Sequence, residues 1–412
     1  MGLKTRKPED IFKEKTKMVS EKMHALGTSP SKIRDLFEYG NRRKEEIGAD
    51  NVYDFSIGNP NVEPPARVRE VIEELIATED SVALHGYTSA PGDMGVRQAI
   101  CDHVNSMQKV TLTPDHVYMT CGAAASLMIS LRALCEEGDE FLTFAPFFPE
   151  YRVFTESVGG KFGTVACDPV TFQPDIEDLK KKITKNTKGI IINSPNNPSG
   201  AVISEENLIA VCDVLRDKAR EYAHPIVLIA DEPYRELVYG EVKVPAPMDY
   251  YDDTIVCYSY SKSLSLPGER IGYIAVSPRM SEDKDVYFAI CGAGRSLGYV
   301  CAPSLFQRVV ARCQGLTSDI SVYKKNRDIL SEALKKLGFE VVNPDGAFYL
   351  FVKALEDDAE AFAEKAKEFE LLLVPSDSFG VPGYVRISYC VGTEMIERSL
   401  PAFEKLAKSY GK

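Results

Sequence analysis

The run Tyr258-Ser-Tyr-Ser-Lys-Ser-Leu-Ser-Leu-Pro-Gly-Glu-Arg-Ile-Gly-Tyr273 sets Lys262 among hydroxyl side chains and follows it eight residues later with Arg270. A lysine amine condenses with a carbonyl to a Schiff base. Serine hydroxyls and an arginine fork hold a phosphate, the first by hydrogen bonds and the second by charge as well. The run suits a protein that holds an aldehyde cofactor covalently. Alone it reads equally as a solvated, Ser/Gly-rich loop; the other polar segments of the chain decide between the two.

In Met119-Thr-Cys-Gly-Ala-Ala-Ala-Ser126, a glycine and small residues precede the apolar helical run Leu127 to Leu134. Such a helix start lets an anion approach free backbone N–H groups, and the helix dipole adds to the attraction; close helix packing needs the same small residues. Ile192-Asn-Ser-Pro-Asn-Asn-Pro-Ser-Gly200 follows a strand-like run. Its prolines and glycine fix a tight course that presents the Asn197 amide to a ring oxygen or, in an Asx-turn, to its own backbone. In Ala230-Asp-Glu-Pro-Tyr234, Asp231 ends another strand-like run, where an aspartate can pair with a protonated pyridine nitrogen and keep the ring an electron sink. Tyr234 can bond the ring's phenolic oxygen. A metal would want more converging carboxylates or histidines, and the chain has only 5 histidines. Phe148, in Ala145-Pro-Phe-Phe-Pro-Glu-Tyr151, offers a face for ring stacking or for core packing. Arg386 lies in the apolar strand Tyr384-Val-Arg-Ile-Ser-Tyr389 and needs an anion, either a bidentate ligand carboxylate or a structural ion pair.

These residues need elements to hold them. Ile190–Ile192, Ile226–Ala230, Thr254–Tyr258 and Ile271–Val276 read as short buried strands. Ser204 with Glu205 and Glu206 begins a helix that runs towards Glu221. Strand, helix, strand implies a parallel or mixed sheet covered on both faces, and ligands sit outside the carboxyl ends of its strands, where the polar residues fall. Residues 10–50 read as largely helical. Val341–Val342, Ala347–Val352, Leu371–Val374 and Tyr384–Tyr389 read as strands of a smaller α+β unit. The expected division is an N-terminal segment 1–75 contributing to the small domain, a large cofactor-binding domain 76–304, and a C-terminal small domain 305–412.

At 412 residues the chain has room for two or three cores. Its net charge of -12 argues against a nucleic-acid partner, which needs a basic face. The 10 cysteines lack C-x-x-C pairs and read as reduced thiols of an intracellular protein. The charged N-terminus carries no signal peptide or membrane span, and Arg6 stands where a myristoylation signal at Gly2 wants Ser or Thr, so a cytoplasmic location is expected.

Taken together and in this order, Asn-Asn-Pro-Ser-Gly, Asp-Glu-Pro-Tyr and Ser-Tyr-Ser-Lys…Gly-Glu-Arg-Ile-Gly-Tyr resemble the class I/II aminotransferases, the fold-type-I enzymes dependent on pyridoxal 5′-phosphate. The resemblance runs from about Asp54 to Tyr389 and implies an α/β fold with a large, mostly parallel mixed sheet plus a smaller α+β domain. It makes Lys262 the Schiff-base lysine, Asp231 the pyridine-nitrogen partner, and Asn197 and Tyr234 the ligands of the ring oxygen. Phe148 becomes the stacking residue. Ser259, Ser261, Arg270 and the backbone at Ala123 and Ala124 become the phosphate site. Tyr87, in His85-Gly-Tyr-Thr-Ser-Ala-Pro-Gly92, resembles the tyrosine that reaches the phosphate of a partner subunit, which implies a homodimer. Arg386 resembles the clamp on the substrate α-carboxylate, with the Gly58 backbone beside it. The implied reaction is ping-pong transfer of an amino group from an amino acid, aspartate or glutamate first, to a 2-oxo acid.

Two positions depart from the related aspartate enzymes. Phe148 replaces a common tryptophan, and Ala124 replaces a lysine that one subgroup pairs with a dicarboxylate's distal acid; Arg295, Arg34 and Lys32 are the candidates to supply that charge. Carbon–sulfur β-lyases share the ring-binding residues and form an alternative. A ligand-sensing regulator module is a third reading, disfavoured because no basic DNA-binding segment precedes the core.

Overall fold

The structure is a computed structural model and describes residues 18–28, 32–342 and 344–412. In chain order its strands are β1 (Tyr53–Asp54), β2 (Val117–Thr120), β3 (Glu140–Phe144), β4 (Lys161–Val165), β5 (Thr187–Asn193), β6 (Val227–Asp231), β7 (Thr254–Ser259), β8 (Gly272–Val276), β9 (Val341–Val342), β10 (Tyr349–Lys353), β11 (Leu371–Leu372), β12 (Val374–Pro375) and β13 (Tyr384–Ser388). Seven of them form one sheet in the order β2-β8-β7-β6-β5-β3-β4. β4, β3, β5, β6 and β7 run parallel, while β8 lies antiparallel between β7 and β2.

Both faces of this sheet are covered, which is why its strands read as continuous apolar runs. Alternation still sorts the side chains. Ile190 and Ile192 of β5 enter one core with Ile100, Leu208 and Val309, whereas Ile191 enters the opposite core with Leu127, Ile129 and Ile290. Each such side chain, withdrawn from water, contributes about 1.5–3 kcal/mol. The helix after β5 is Glu205–Tyr222, and its Ser204 hydroxyl accepts the amide of Asn207 at 3.1 Å, the N-cap expected from sequence.

Two further sheets complete the fold: antiparallel β12-β13-β10-β9 and the parallel pair β1-β11. The expected strand Leu371–Val374 is divided. Leu371 and Leu372 pair with β1, Leu373 turns the chain, and Val374 pairs with Arg386 of β13. Among residues 10–50, helices Glu21–Thr28 and Lys32–Ile47 are present, and the part of that expectation falling on 10–17 and 29–31 lies outside the described residues. Val68, Val71 and Leu75 of helix Ala66–Thr78, and Val309 and Val310 of helix Ser304–Ala311, join a core of the seven-stranded sheet. Both helices thus pack on the large sheet, although the expected boundaries at 75 and 304 place most of each with the smaller unit. Among the described residues no helix is long and apolar enough to cross a membrane, and no group of histidine, cysteine and acidic side chains is arranged to hold a metal. All 10 cysteines are free.

β8 brings Gly272 against the loop that starts helix Ala123–Leu134. A Cβ on Gly272 would collide with the Tyr258 carbonyl oxygen of β7 and stand 3.0 Å from the Gly122 Cα. Both neighbours are backbone and cannot rotate away. Gly272→Ala is therefore expected to destabilise the protein by about 1–3 kcal/mol, read as a lower urea midpoint; an unchanged midpoint would show that β8 has room to shift.

Candidate active site

The carboxyl ends of β5, β6 and β7 carry Asn193, Asp231 and Ser259. Sheet register sets Asn193 opposite Asp231. The Asn193 amide donates to the Asp231 carbonyl at 2.9 Å and accepts the Asn197 N–H at 2.8 Å, which ties the Asn-Ser-Pro-Asn-Asn loop to the strand end. The loop course is rigid for this reason as well as for its prolines. A cavity of about 280 Å³ opens above these strand ends. Every cofactor- and α-carboxylate-binding residue expected from sequence except Tyr87 lines it: Gly58, Ala123, Ala124, Phe148, Asn197, Asp231, Tyr234, Ser259, Ser261, Lys262, Arg270 and Arg386. Tyr87 is 94% exposed and stands outside.

Lys262 sits in a short helical turn, Tyr260–Ser263, and its Nζ donates to the Gly58 carbonyl at 2.7 Å. It faces the rings of Phe348 and Tyr234, at 5.3 and 5.9 Å from their centroids. Burial pushes its amine down to about 8, and Arg386 and Arg270 add to the depression. The neutral, nucleophilic form at pH 7 thereby rises from under about one molecule in a thousand to roughly one in ten.

Asp231 is buried. Its Oδ2 accepts the Tyr151 hydroxyl at 2.6 Å, while Oδ1 is shielded from solvent and has no partner among the described residues. Burial pushes this carboxyl up to about 7. A lone buried acceptor is costly, and an N–H donor from a ring in the cavity would satisfy it. Phe148 stands edge-on to Tyr151, with centroids 5.7 Å apart.

The other end of the cavity is built for an anion. Gly122 has φ +87° and caps helix Ala123–Leu134. Any side chain there would fill the space, since a Cβ would stand 2.8 Å from the Arg270 Nη2. The first N–H groups of this helix have no intrahelical acceptor. Ser259 and Ser261 join the group, their hydroxyls 2.6 Å apart. Arg270 Nη1 donates to the Pro267 carbonyl at 2.8 Å.

Arg386 is buried and carries no carboxylate partner among the described residues. Nη1 donates to Asn197 Oδ1 at 3.1 Å and Nη2 to the Ser56 carbonyl at 2.5 Å, and Nε is unsatisfied. It lies over the Tyr349 ring, 4.7 Å from the centroid. The structural ion pair allowed by the sequence is absent, and burial pulls its pKa below the usual arginine value. The Ser56 carbonyl is held in place because Asp54 accepts both the Ser56 N–H, at 3.1 Å, and its hydroxyl, at 2.6 Å. Asp54 in turn pairs with Lys44 at 2.6 Å.

Sequence reasoning missed Tyr151, Asn193 and Tyr349. Tyr349 bonds the Tyr234 hydroxyl at 2.8 Å, and its own hydroxyl abuts Gly58, where any Cβ would collide with it. Tyr151 ends the aromatic and proline run Ala145–Tyr151, which carries no local signal that its last residue reaches β6. None of the three candidates for a distal charge lines the cavity. Lys32 pairs with Glu360 at 3.0 Å, Arg34 is exposed, and Arg295 is exposed on helix Asp283–Ser296. The lining away from the charged groups is apolar, with Ile33, Ile57 and Leu127.

A lone carboxylate oxygen at one end, an anion cradle at the other and a lysine between them fit a phosphorylated pyridine aldehyde. Residues 50–403 match the family described as aminotransferase class I and II. A probable aspartate aminotransferase of Methanocaldococcus jannaschii is 30% identical over 385 residues, covering 92% of this chain and 97% of that protein. The structure of an aminotransferase from Eubacterium rectale superposes with a TM-score of 0.94 at 55% identity, covering 96% of this chain and 100% of the other. The aspartate aminotransferase of Thermus thermophilus with maleate superposes at 0.84 with 25% identity, covering 95% and 100%. These relatives are named as transaminases, which does not favour the lyase alternative. The chain belongs to the class I and II aminotransferases, enzymes that work with pyridoxal 5′-phosphate on amino and 2-oxo acids.

Proposed function

We propose that this transaminase moves the amino group of aspartate or glutamate to a 2-oxo acid, with Lys262 as the covalent anchor and the proton carrier. The observation that carries the assignment is the meeting, in one cavity, of a lysine of depressed pKa, a buried carboxylate oxygen without a donor, and a buried arginine without an anion. When bound, the cofactor supplies an aldehyde for amines and a ring that withdraws electrons from the substrate Cα.

The remaining work belongs to the chain. Asp231 Oδ1 would accept the ring N–H and, as a carboxylate, would favour its cationic form. Tyr151 holds that carboxylate in orientation. Tyr234 and the Asn197 amide face the ring oxygen, Phe148 covers the ring, and Ser259, Ser261, Arg270 and the N–H groups of Ala123 and Ala124 hold the phosphate. Arg386 receives the substrate α-carboxylate in its fork and aligns the Cα bond. Lys262, as a free amine, would take the Cα proton as a general base, and its depressed pKa suits that task near neutral pH.

A homodimer is part of this reading. Tyr87, Val82, Phe288, Val300 and Met94 are exposed apolar side chains, of the sort that subunit interfaces cover. Tyr87 would then serve the neighbouring site. The cavity offers no cation beyond Lys262, Arg270 and Arg386 among the described residues, so the distal carboxylate of aspartate or glutamate would be met from the partner subunit, with Arg295 the candidate because its helix Asp283–Ser296 also carries the exposed Phe288. The names of the relatives support the dicarboxylic substrate class. In this reading the domains are those expected from sequence, 1–75 with 305–412 and 76–304, except that helices Ala66–Thr78 and Ser304–Ala311 belong to the large unit, on whose core they pack. The cytoplasm is the proposed compartment, in keeping with ten free thiols.

Lys262→Ala is expected to abolish turnover and the visible absorbance of the bound cofactor; transamination at near wild-type rate would remove Lys262 from its role. Arg386→Ala is expected to lower kcat/KM for every amino acid by about 2–4 kcal/mol, roughly 30- to 1,000-fold, with cofactor absorbance retained; an unchanged kcat/KM would sink the clamp. Arg295→Ala is expected to raise KM for aspartate and 2-oxoglutarate about tenfold and leave KM for leucine or phenylalanine within about twofold. Equal effects on both groups of substrates would remove Arg295 from substrate selection.

A further inference from the structure

Behind the active site lies a second pocket of about 150 Å³. The two cavities share no lining residue. They are separated by chain that alternates between them: Asp231, Ser259 and Lys262 face the first, whereas Glu232, Tyr258 and Ser263 face the second. The rim carries Met107 and Leu316, which are 43% and 39% exposed, and the floor is buried.

The floor is aromatic. Tyr258 stacks on Tyr273 with centroids 4.9 Å apart and meets Tyr260 edge-on at 5.1 Å. Three charged side chains line the pocket, and two of them cancel. Arg235 Nη1 donates to both Glu232 oxygens at 3.0 Å, and its Nη2 donates to the Val244 carbonyl at 3.3 Å. Glu236 remains. Its Oε1 accepts the Tyr258 hydroxyl at 2.8 Å, while Oε2 is shielded from solvent and has no partner among the described residues. Between rim and floor the hydrocarbon of Val104, Leu112 and Met248 alternates with the polar side chains of His103, Gln108 and Gln314.

We propose that this pocket is a binding site for a small organic ammonium ion, whose hydrocarbon body lies against Met107, Met248 and Leu316 and whose N–H donates to Glu236 Oε2 beside the tyrosine rings. Cavities of about 150 Å³ hold a body of benzene size. A cation gains from aromatic faces and from a carboxylate that no other group neutralises. An anion would meet Glu232 and Glu236 with the Arg235 donors already engaged.

The charge of Glu236 makes the site dependent on pH. Burial pushes its carboxyl up to about 7, against the opposing pull of the Tyr258 hydroxyl and Arg235. The Cys313 thiol, which also lines the pocket, is pushed up by burial and stays neutral. Glu232 and Arg235 hold each other, Tyr258, Tyr260 and Tyr273 are pushed up by burial and stay neutral, and His103 from helix Met94–Asn105 is pushed down. The carboxylate is the major form above pH 7, so an ammonium ligand binds more tightly there.

The test is calorimetric titration of the holoenzyme with N,N-dimethylbenzylamine, a tertiary amine that cannot form an imine with the cofactor. Binding is expected at pH 8, about tenfold weaker at pH 6, and at least about tenfold weaker for Glu236→Gln and for benzyl methyl ether, the neutral analogue of similar shape. Leu316→Trp, at a rim position that is 39% exposed, is expected to block binding by filling the entrance, with an unchanged urea midpoint showing that the fold is kept. The proposal is overturned by no binding at millimolar amine, by ether binding as tightly as amine, by Glu236→Gln binding like wild type, or by full binding in Leu316→Trp, which would put the amine elsewhere.

Discussion

The structure depends on keeping charge buried without a counter-charge. Among the described residues Arg386 has no carboxylate, Asp231 keeps one oxygen without a donor, and Lys262 has only a backbone carbonyl. Each of these carries a desolvation cost that a folded chain ordinarily offsets internally. Here the offset comes with ligands: a ring N–H for Asp231, an α-carboxylate for Arg386 and an aldehyde for Lys262. The unfilled valences of the site are complementary to an aminotransferase's cofactor and substrate, and stability set aside at these positions becomes binding energy.

What tolerates this cost is the surrounding order. β5, β6 and β7 are buried on both faces and in parallel register, so Asn193, Asp231 and Ser259 emerge side by side from a sheet whose side chains are locked by two cores. The antiparallel β10 and β13 do the same for Arg386 and Tyr349 from the opposite side of the cavity. Backbone supplies several of the contacts directly, such as Gly58 O to Lys262 and Ser56 O to Arg386. Those contacts survive side-chain substitution but require glycine where a hydroxyl or guanidinium comes close, as at Gly58 and Gly122. The pattern explains why a short sequence run can carry much of the chemistry. A strand end presents successive residues to opposite sides, one to the active cavity and the next to the pocket behind it.

Much of the site could be read from sequence because it is assembled from strand ends. A run of β-branched residues followed by a polar, proline- or glycine-bearing segment states both the element and where its ligand-facing residue falls; β5, β6 and β7 followed that rule, whereas antiparallel β8 is entered from Arg270 at its start. β2, β3 and β4 were not singled out. β3 mixes Glu140 and Thr143 among its apolar residues, and the edge strand β4 carries Lys161 and Gly163, so neither gives a clean run. The divided strand at Leu373 was also illegible, because it follows from two different partners, β1 and β13, competing for one apolar stretch.

The sequence by itself determined the chemical repertoire: a lysine among serines, an aspartate and an asparagine after apolar strands, a glycine before a helix, an arginine within a strand. Local propensity and turn chemistry act over a few residues and are written there. Only the tertiary structure decided which oxygen of Asp231 stays free, because Tyr151 takes the other from 80 residues away. It also decided that Tyr349 meets Tyr234 across 115 residues, and that Arg386 finds Asn197 and Ser56 in place of an acid. Such pairings arise from how layers pack, and no periodicity along the chain records them.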